Sequence, residues 1–190
     1  MILDSHVYCF EPVDRPAGFA SGKEHLGWVQ ASQATHHQPA WVIRDRAPAS
    51  SRPLDPKGAR DLSDLPDVNF RLDHARGRVV WTVDGYDYTK QFFPPNLRNV
   101  EFTPHSVIAE MDYAGVDKAL PHRIPYLGIG NEFVADCVRR FPDRLLGLAH
   151  VEEWLVQREP EASVRKLETA IRDMGLSGLQ FLSDQLALYG

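Results

Sequence analysis

The chain has 190 residues, long enough for one domain with a substantial core, and its 43% hydrophobic and 25% charged content is that of a globular protein. A net charge of -5 and a pI of about 5.9 exclude a basic nucleic-acid footprint, and no apolar run approaches the ~18 residues that span a bilayer. With no Lys/Arg-led apolar leader, and with Cys9 and Cys137 far apart and outside any metal-like spacing, the sequence predicts a cytoplasmic chain with two free thiols and neither a nucleic-acid nor a membrane partner.

The first predicted element is a strand over residues 2 to 8. Asp4, His6 and Tyr8 fall at i, i+2 and i+4, which places their side chains on one face. Ile2, Leu3, Val7 and Phe10 give the rest of the segment a buried character. Buried polar groups need partners, and a metal ion or a substrate is one kind of partner. A backbone carbonyl is another.

Residues 11–99 hold nine of the 14 prolines and little helical periodicity, so they read as a long irregular insertion after the first strand. Within it, Ala47 to Asp67 is a loop rich in Pro, Ser and Asp. Val68 to Asp73 and Arg78 to Val83 alternate apolar and polar residues around a turn at 74–77, which predicts a hairpin. Asp84-Gly85 is a second turn signal, leading to a third short strand at Tyr86 to Tyr88.

The second half is more regular. Thr103-Pro104 is a cap followed by a first-turn proline, Val107, Met111 and Ala114 share a face, and Gly115 stops the helix. Val116 to Leu120 reads as a strand. Asn131 caps a second helix with Phe133, Val134, Cys137 and Val138 as its apolar positions, and Leu145 to Val151 is a nearly continuous apolar strand. Pro160 opens a third helix carrying Val164, Leu167, Ile171 and Met174; Gly175 ends it, and Leu176 to Leu182 is the last strand. A repeat of about 30 residues suits βαβ crossovers and a parallel sheet.

Several of these segments carry a resemblance. Asp4-Ser5-His6-Val7-Tyr8 resembles the Asp-x-His-x-His first strand of the amidohydrolase-related (amidohydrolase 2) family, with Tyr8 in place of the second His. Met111 to Ala119 is similar to that family's Met-Asp-x-Ala-Gly-Val-Asp-x-Ala step from first helix to second strand. Pro142-Asp143-Arg144 with Gly147, and Met174 to Phe181, are similar to its entries to the third and fourth strands. The resemblance covers residues 1–10 and 100–190, in order, and leaves out the insertion. It implies an α/β fold of the (β/α) TIM-barrel type: the first four βα units of a partial barrel, in a single domain spanning 1–190, with 11–99 inserted in the first βα connection.

The same resemblance implies a metal-dependent hydrolase or decarboxylase acting on a small organic substrate. The divalent metal would be Zn, with Mn or Fe as options, or absent because Tyr8 replaces a ligand. His6 and Asp4 are the expected metal residues, and Asp4 could equally orient His6. His122, His150 and Glu152 lie after strands two and three and are the expected catalytic residues; His150 and Glu152 share strand parity. Tyr8 and Gln180 are expected to line the site, as strand-end residues do in such barrels. Half a barrel implies a homo- or hetero-oligomer, or a missing C-terminal half. A different class of reading is a catalytically silent subunit that pairs with an active homologous chain.

Overall fold

The computed structural model describes residues 1–58, 61–94 and 97–183. Residues 59–60 of the predicted loop, Pro95 of the insertion and the last seven residues of the expected domain lie outside the described residues. In chain order the elements are β1 (Leu3–Tyr8), α1 (Gly22–Thr35), β2 (Ala40–Val42), β3 (Pro48–Ala49), β4 (Arg71–Asp73), β5 (Arg78–Val83), β6 (Tyr86–Lys90), α2 (Pro104–Ala114), β7 (Lys118–His122), α3 (Asn131–Arg140), β8 (Leu148–Ala149), α4 (Pro160–Arg172) and β9 (Gly178–Leu179). They fall into two compact units. One comprises Met1–Glu11, Ala17–Phe19 and the chain from Phe102 onward; the other comprises Pro12–Pro16 and Ala20–Glu101. Among the described residues no helix is long and apolar enough to cross a membrane.

In the first unit, β1 pairs in parallel with β7, with Leu3 opposite Lys118, Asp4 opposite Ala119 and Tyr8 opposite His122; the register slips between Asp4 and Val7. β8 pairs in parallel with β9, and a single parallel bridge joins Ala119 to Leu145. Helix α2 forms for reasons legible in the sequence, whereas Asn131 is not the cap of α3 but its first residue, with its side chain bonded to the His150 backbone. Thr103 Oγ1 accepts from Ser106 N–H at 3.2 Å with Pro104 at the first position, and α2 ends at Gly115. Arg139 and Arg140 in the last turn of α3 complement its dipole. One apolar cluster gathers Cys9, Val107, Met111, Ala119, Cys137 and Leu145; another gathers Val134, Ala135, Ala149, Ala170 and Leu176.

The expected partial TIM barrel does not form. The fold is mixed α/β, with four helices and sheets of two, five and two strands among the described residues, and the largest sheet is antiparallel. The predicted strands at 145–151 and 176–182 shrink to two residues each. Gly147 gives one physical reason. It sits at φ 58° and is packed so tightly that a Cβ would lie 2.8 Å from Val138 Cγ2 and Leu176 Cδ2, so the backbone turns there instead of extending. Pro121 inside β7 also removes a ladder donor.

The second unit holds the antiparallel sheet, ordered β3-β2-β6-β5-β4. The predicted hairpin is present as β4 and β5, with Arg71 opposite Val80 and Asp73 opposite Arg78, and the second turn, Asp84-Gly85, connects β5 to β6, with Val83 opposite Tyr86 and Trp81 opposite Tyr88. Trp81 and Leu54 are fully buried in this unit. So is Lys90, whose ammonium donates to the Gln33 carbonyl at 2.6 Å, to Ser51 Oγ at 3.0 Å and to the His36 carbonyl. Helix α1 was not expected. Its signal is a capping arrangement in which Ser21 Oγ accepts from Glu24 N–H and Glu24 accepts from Ala20 N–H, each at 3.1 Å.

Candidate functional site

The parallel register of β1 and β7 assembles three rings. Tyr8 stands opposite His122, and His6 shares the face of Tyr8. Ring centroids are 4.5 Å apart for His6 and His122, 4.8 Å for Tyr8 and His122, and 5.1 Å for His6 and Tyr8, all edge-on. His6 is exposed, Tyr8 is partly buried and His122 is buried.

His122 is held in one orientation. Its Nδ1 lies 3.3 Å from the Leu120 carbonyl, which makes Nδ1 the protonated nitrogen, and its Nε2 is buried with no hydrogen-bond partner. Burial pushes the imidazole below its ordinary pKa. The Leu120 carbonyl and Asp4 oppose that shift and His6 adds to it. His122 is therefore neutral and presents a bare lone pair. Burial raises the Tyr8 phenol, and burial together with Tyr8 pushes Tyr126 up to about 12, so both phenols stay protonated donors.

Asp4 plays a local part. Its Oδ1 accepts from the backbone N–H of His6 at 2.9 Å, an Asx-type turn that shapes the strand where the register slips. His150 belongs to a different set. Asn131 clasps its backbone, with Oδ1 accepting from the His150 N–H at 2.8 Å and Nδ2 donating to its carbonyl at 3.0 Å. Its ring is buried, and Nε2 lies 4.0 Å from Glu153 Oε2. Burial, then the charges of Lys166 and Arg123, push its pKa down to about 3. Among the described residues no ring contact or hydrogen bond links His150 to the three-ring cluster.

The structure turns Glu152 to Lys166, at 2.6 Å, instead of to His150. The chain leaves the strand after Ala149 and enters a 3₁₀ turn at Glu153–Leu155, so strand parity fails and Glu153 becomes the carboxylate beside His150. Gln180 donates its backbone N–H to the Ala149 carbonyl at 2.9 Å and is half-buried at the end of β9.

Arg123 is the residue that sequence reasoning missed. It directly follows His122, and its side chain is fully buried. Nη1 donates to Glu11 Oε2 at 2.7 Å, Nη2 donates to the Leu127 carbonyl at 2.6 Å, and the guanidinium lies 5.0 Å over the Phe133 ring. Gly128 makes room for it: at φ 101°, a Cβ there would lie 1.9 Å from Arg123 Nη2. Glu11, three residues past Tyr8, is thereby tied to the residue after His122. The readable signal was an Arg placed at the exit of an apolar strand.

Two imidazoles suit a divalent ion, but no group of three or more His, Cys, Asp or Glu placed to hold a metal occurs among the described residues. Catalytic zinc sites use three protein ligands. No protein-family model and no curated protein matches the chain.

Proposed function

We propose that this chain contributes to a divalent-metal-dependent hydrolase or decarboxylase acting on a small organic substrate, with His6 and His122 as two imidazole ligands. The observation that carries the proposal is the buried, neutral, unpartnered Nε2 of His122, its ring 4.5 Å from that of the exposed His6. A bound divalent ion would polarise a substrate oxygen or lower the pKa of a water. Among the described residues the ligand set is incomplete, and further ligands come from a second polypeptide or from the substrate itself. This matches an oligomeric partner and does not depend on the barrel.

The surrounding residues have definable tasks. The Leu120 carbonyl fixes the His122 tautomer, so Nε2 points its lone pair without competing protonation. Tyr8, a neutral phenol at the same edge, donates a hydrogen bond to a substrate oxygen. The Arg123–Glu11 pair holds the ends of β1 and β7 in register.

The alternative is a catalytically silent subunit that pairs with an active chain. The observation favouring it is Tyr8, since a protonated phenol is a poor ligand. Native mass spectrometry with added Zn or Mn separates the two readings. The enzyme reading expects bound metal that is lost in both His6→Ala and His122→Ala, with turnover of small carboxylates or amides by the metal-loaded assembly. Metal binding indifferent to both substitutions, or none at all, overturns it.

A further inference from the structure

Cys9 and Cys137 are separated by most of the chain, yet their sulfurs are 3.7 Å apart in the apolar cluster of the first unit. Cys9 directly follows β1, and Cys137 lies on the buried face of α3. Both are fully buried free thiols. A disulfide requires a sulfur separation of about 2.05 Å, so the pair must close by roughly 1.7 Å.

We propose that Cys9 and Cys137 form an oxidative modification site, at which a hydroperoxide converts the two thiols to a disulfide tying the end of β1 to α3. The pair is unequal. The contact between the two sulfurs is a hydrogen bond that, with the positive charge of Arg123 and Arg140, holds the Cys137 thiol below its ordinary pKa against burial. That hydrogen bond and burial push Cys9 up. Cys137 is therefore the attacking sulfur and Cys9 the resolving one.

In the first step Cys137 sulfur attacks one peroxide oxygen. The O–O bond breaks, an S–O bond forms, and the leaving oxygen departs as water after taking a proton. In the second step Cys9 sulfur attacks the Cys137 sulfenic acid. The S–O bond breaks, the S–S bond forms, and the hydroxide leaves as water with the Cys9 proton. Two thiols and one hydrogen peroxide become one disulfide and two waters. With the resolving sulfur already in contact, the disulfide outruns further oxidation of Cys137. Because both sulfurs are buried, entry of oxidant is gated by local opening of the cluster. The link forms whether or not the ring cluster holds a metal.

The test treats the reduced chain with hydrogen peroxide in native buffer, quenches it, blocks remaining thiols under denaturing conditions and measures intact mass and peptide linkage. The expected result is a monomer that has lost two hydrogens and both alkylatable thiols, with Cys9 and Cys137 in one linked peptide. Its unfolding midpoint shifts upward, and a reductant reverses both changes. Cys137→Ser should leave Cys9 alkylatable and abolish the linked species. If that variant folds poorly, the wild-type chain oxidised in urea serves as comparison. A link formed only in urea, oxygen addition without linkage, intermolecular dimers alone, or no reaction in native buffer each overturns the proposal.

Discussion

Truncating Arg123 to alanine tests how the end of β7 is held. The change removes two charge-assisted hydrogen bonds, to Glu11 at 2.7 Å and to the Leu127 carbonyl at 2.6 Å, and the contact over Phe133. Hydrogen bonds to charged groups contribute about 1.5–3 kcal/mol each. Removing one partner of a buried ion pair costs about 3–5 kcal/mol. The side chain of Glu11 is 28% exposed, so water relieves the stranded carboxylate, and the lower end, about 3 kcal/mol, is the expected loss. Against a total stability of about 5–15 kcal/mol that is a large fraction. Urea unfolding of the wild type, Arg123→Ala, Glu11→Ala and the double variant closes a thermodynamic cycle. The expected coupling is about 1.5 kcal/mol or more. Additivity within about 0.5 kcal/mol would refute the view that this pair clamps the strand ends.

Two further outcomes follow from the same geometry. Gly128→Ala places a Cβ against Arg123 Nη2 and puts a side chain on a φ of 101°, so urea unfolding should show a loss of about 2 kcal/mol or more; a loss under about 0.5 kcal/mol contradicts the packing. His150 has a folded pKa of about 3 against an ordinary value of 6.5, so above pH 6.5 both states are neutral and its contribution is constant. As pH falls from 6.5 toward 3 the unfolded chain takes the proton and the native one does not, so stability declines across that window, by at most about 5 kcal/mol. His150→Gln should flatten the slope between pH 6.5 and 4.5, and an unchanged slope would show that this ring does not produce it.

Local chemistry made the helices of the first unit legible: Thr103, Pro104 and Gly115 bound α2 as residue type alone suggests. Asp84-Gly85 likewise marked the β5–β6 turn. Helix α1 escaped because it buries His25, Gln30 and Gln33 along with Trp28 and Val29, so no apolar stripe advertises it. In the site, strand periodicity placed His6 and Tyr8 together, but joining them to His122 depends on a pairing that only the fold supplies. Parity misassigned Glu152 because nothing local in Leu145 to Val151 announces that the strand ends at Ala149. The barrel expectation failed for a related reason: apolar content reports burial, not strand length, and Gly147 breaks the apolar run.

The β1–β7 register has a consequence for how the molecule is made. Asp4 leaves the ribosome long before its pairing partner Ala119. Everything needed for the five-stranded sheet, from β2 to β6, emerges in between, and its central hairpin closes over a two-residue turn. Local closure is fast, and pairing across a long loop is slow. During synthesis the antiparallel sheet can therefore assemble while β1 still waits for a neighbour. The strand that carries His6 and Tyr8 is made before the antiparallel sheet and paired after it.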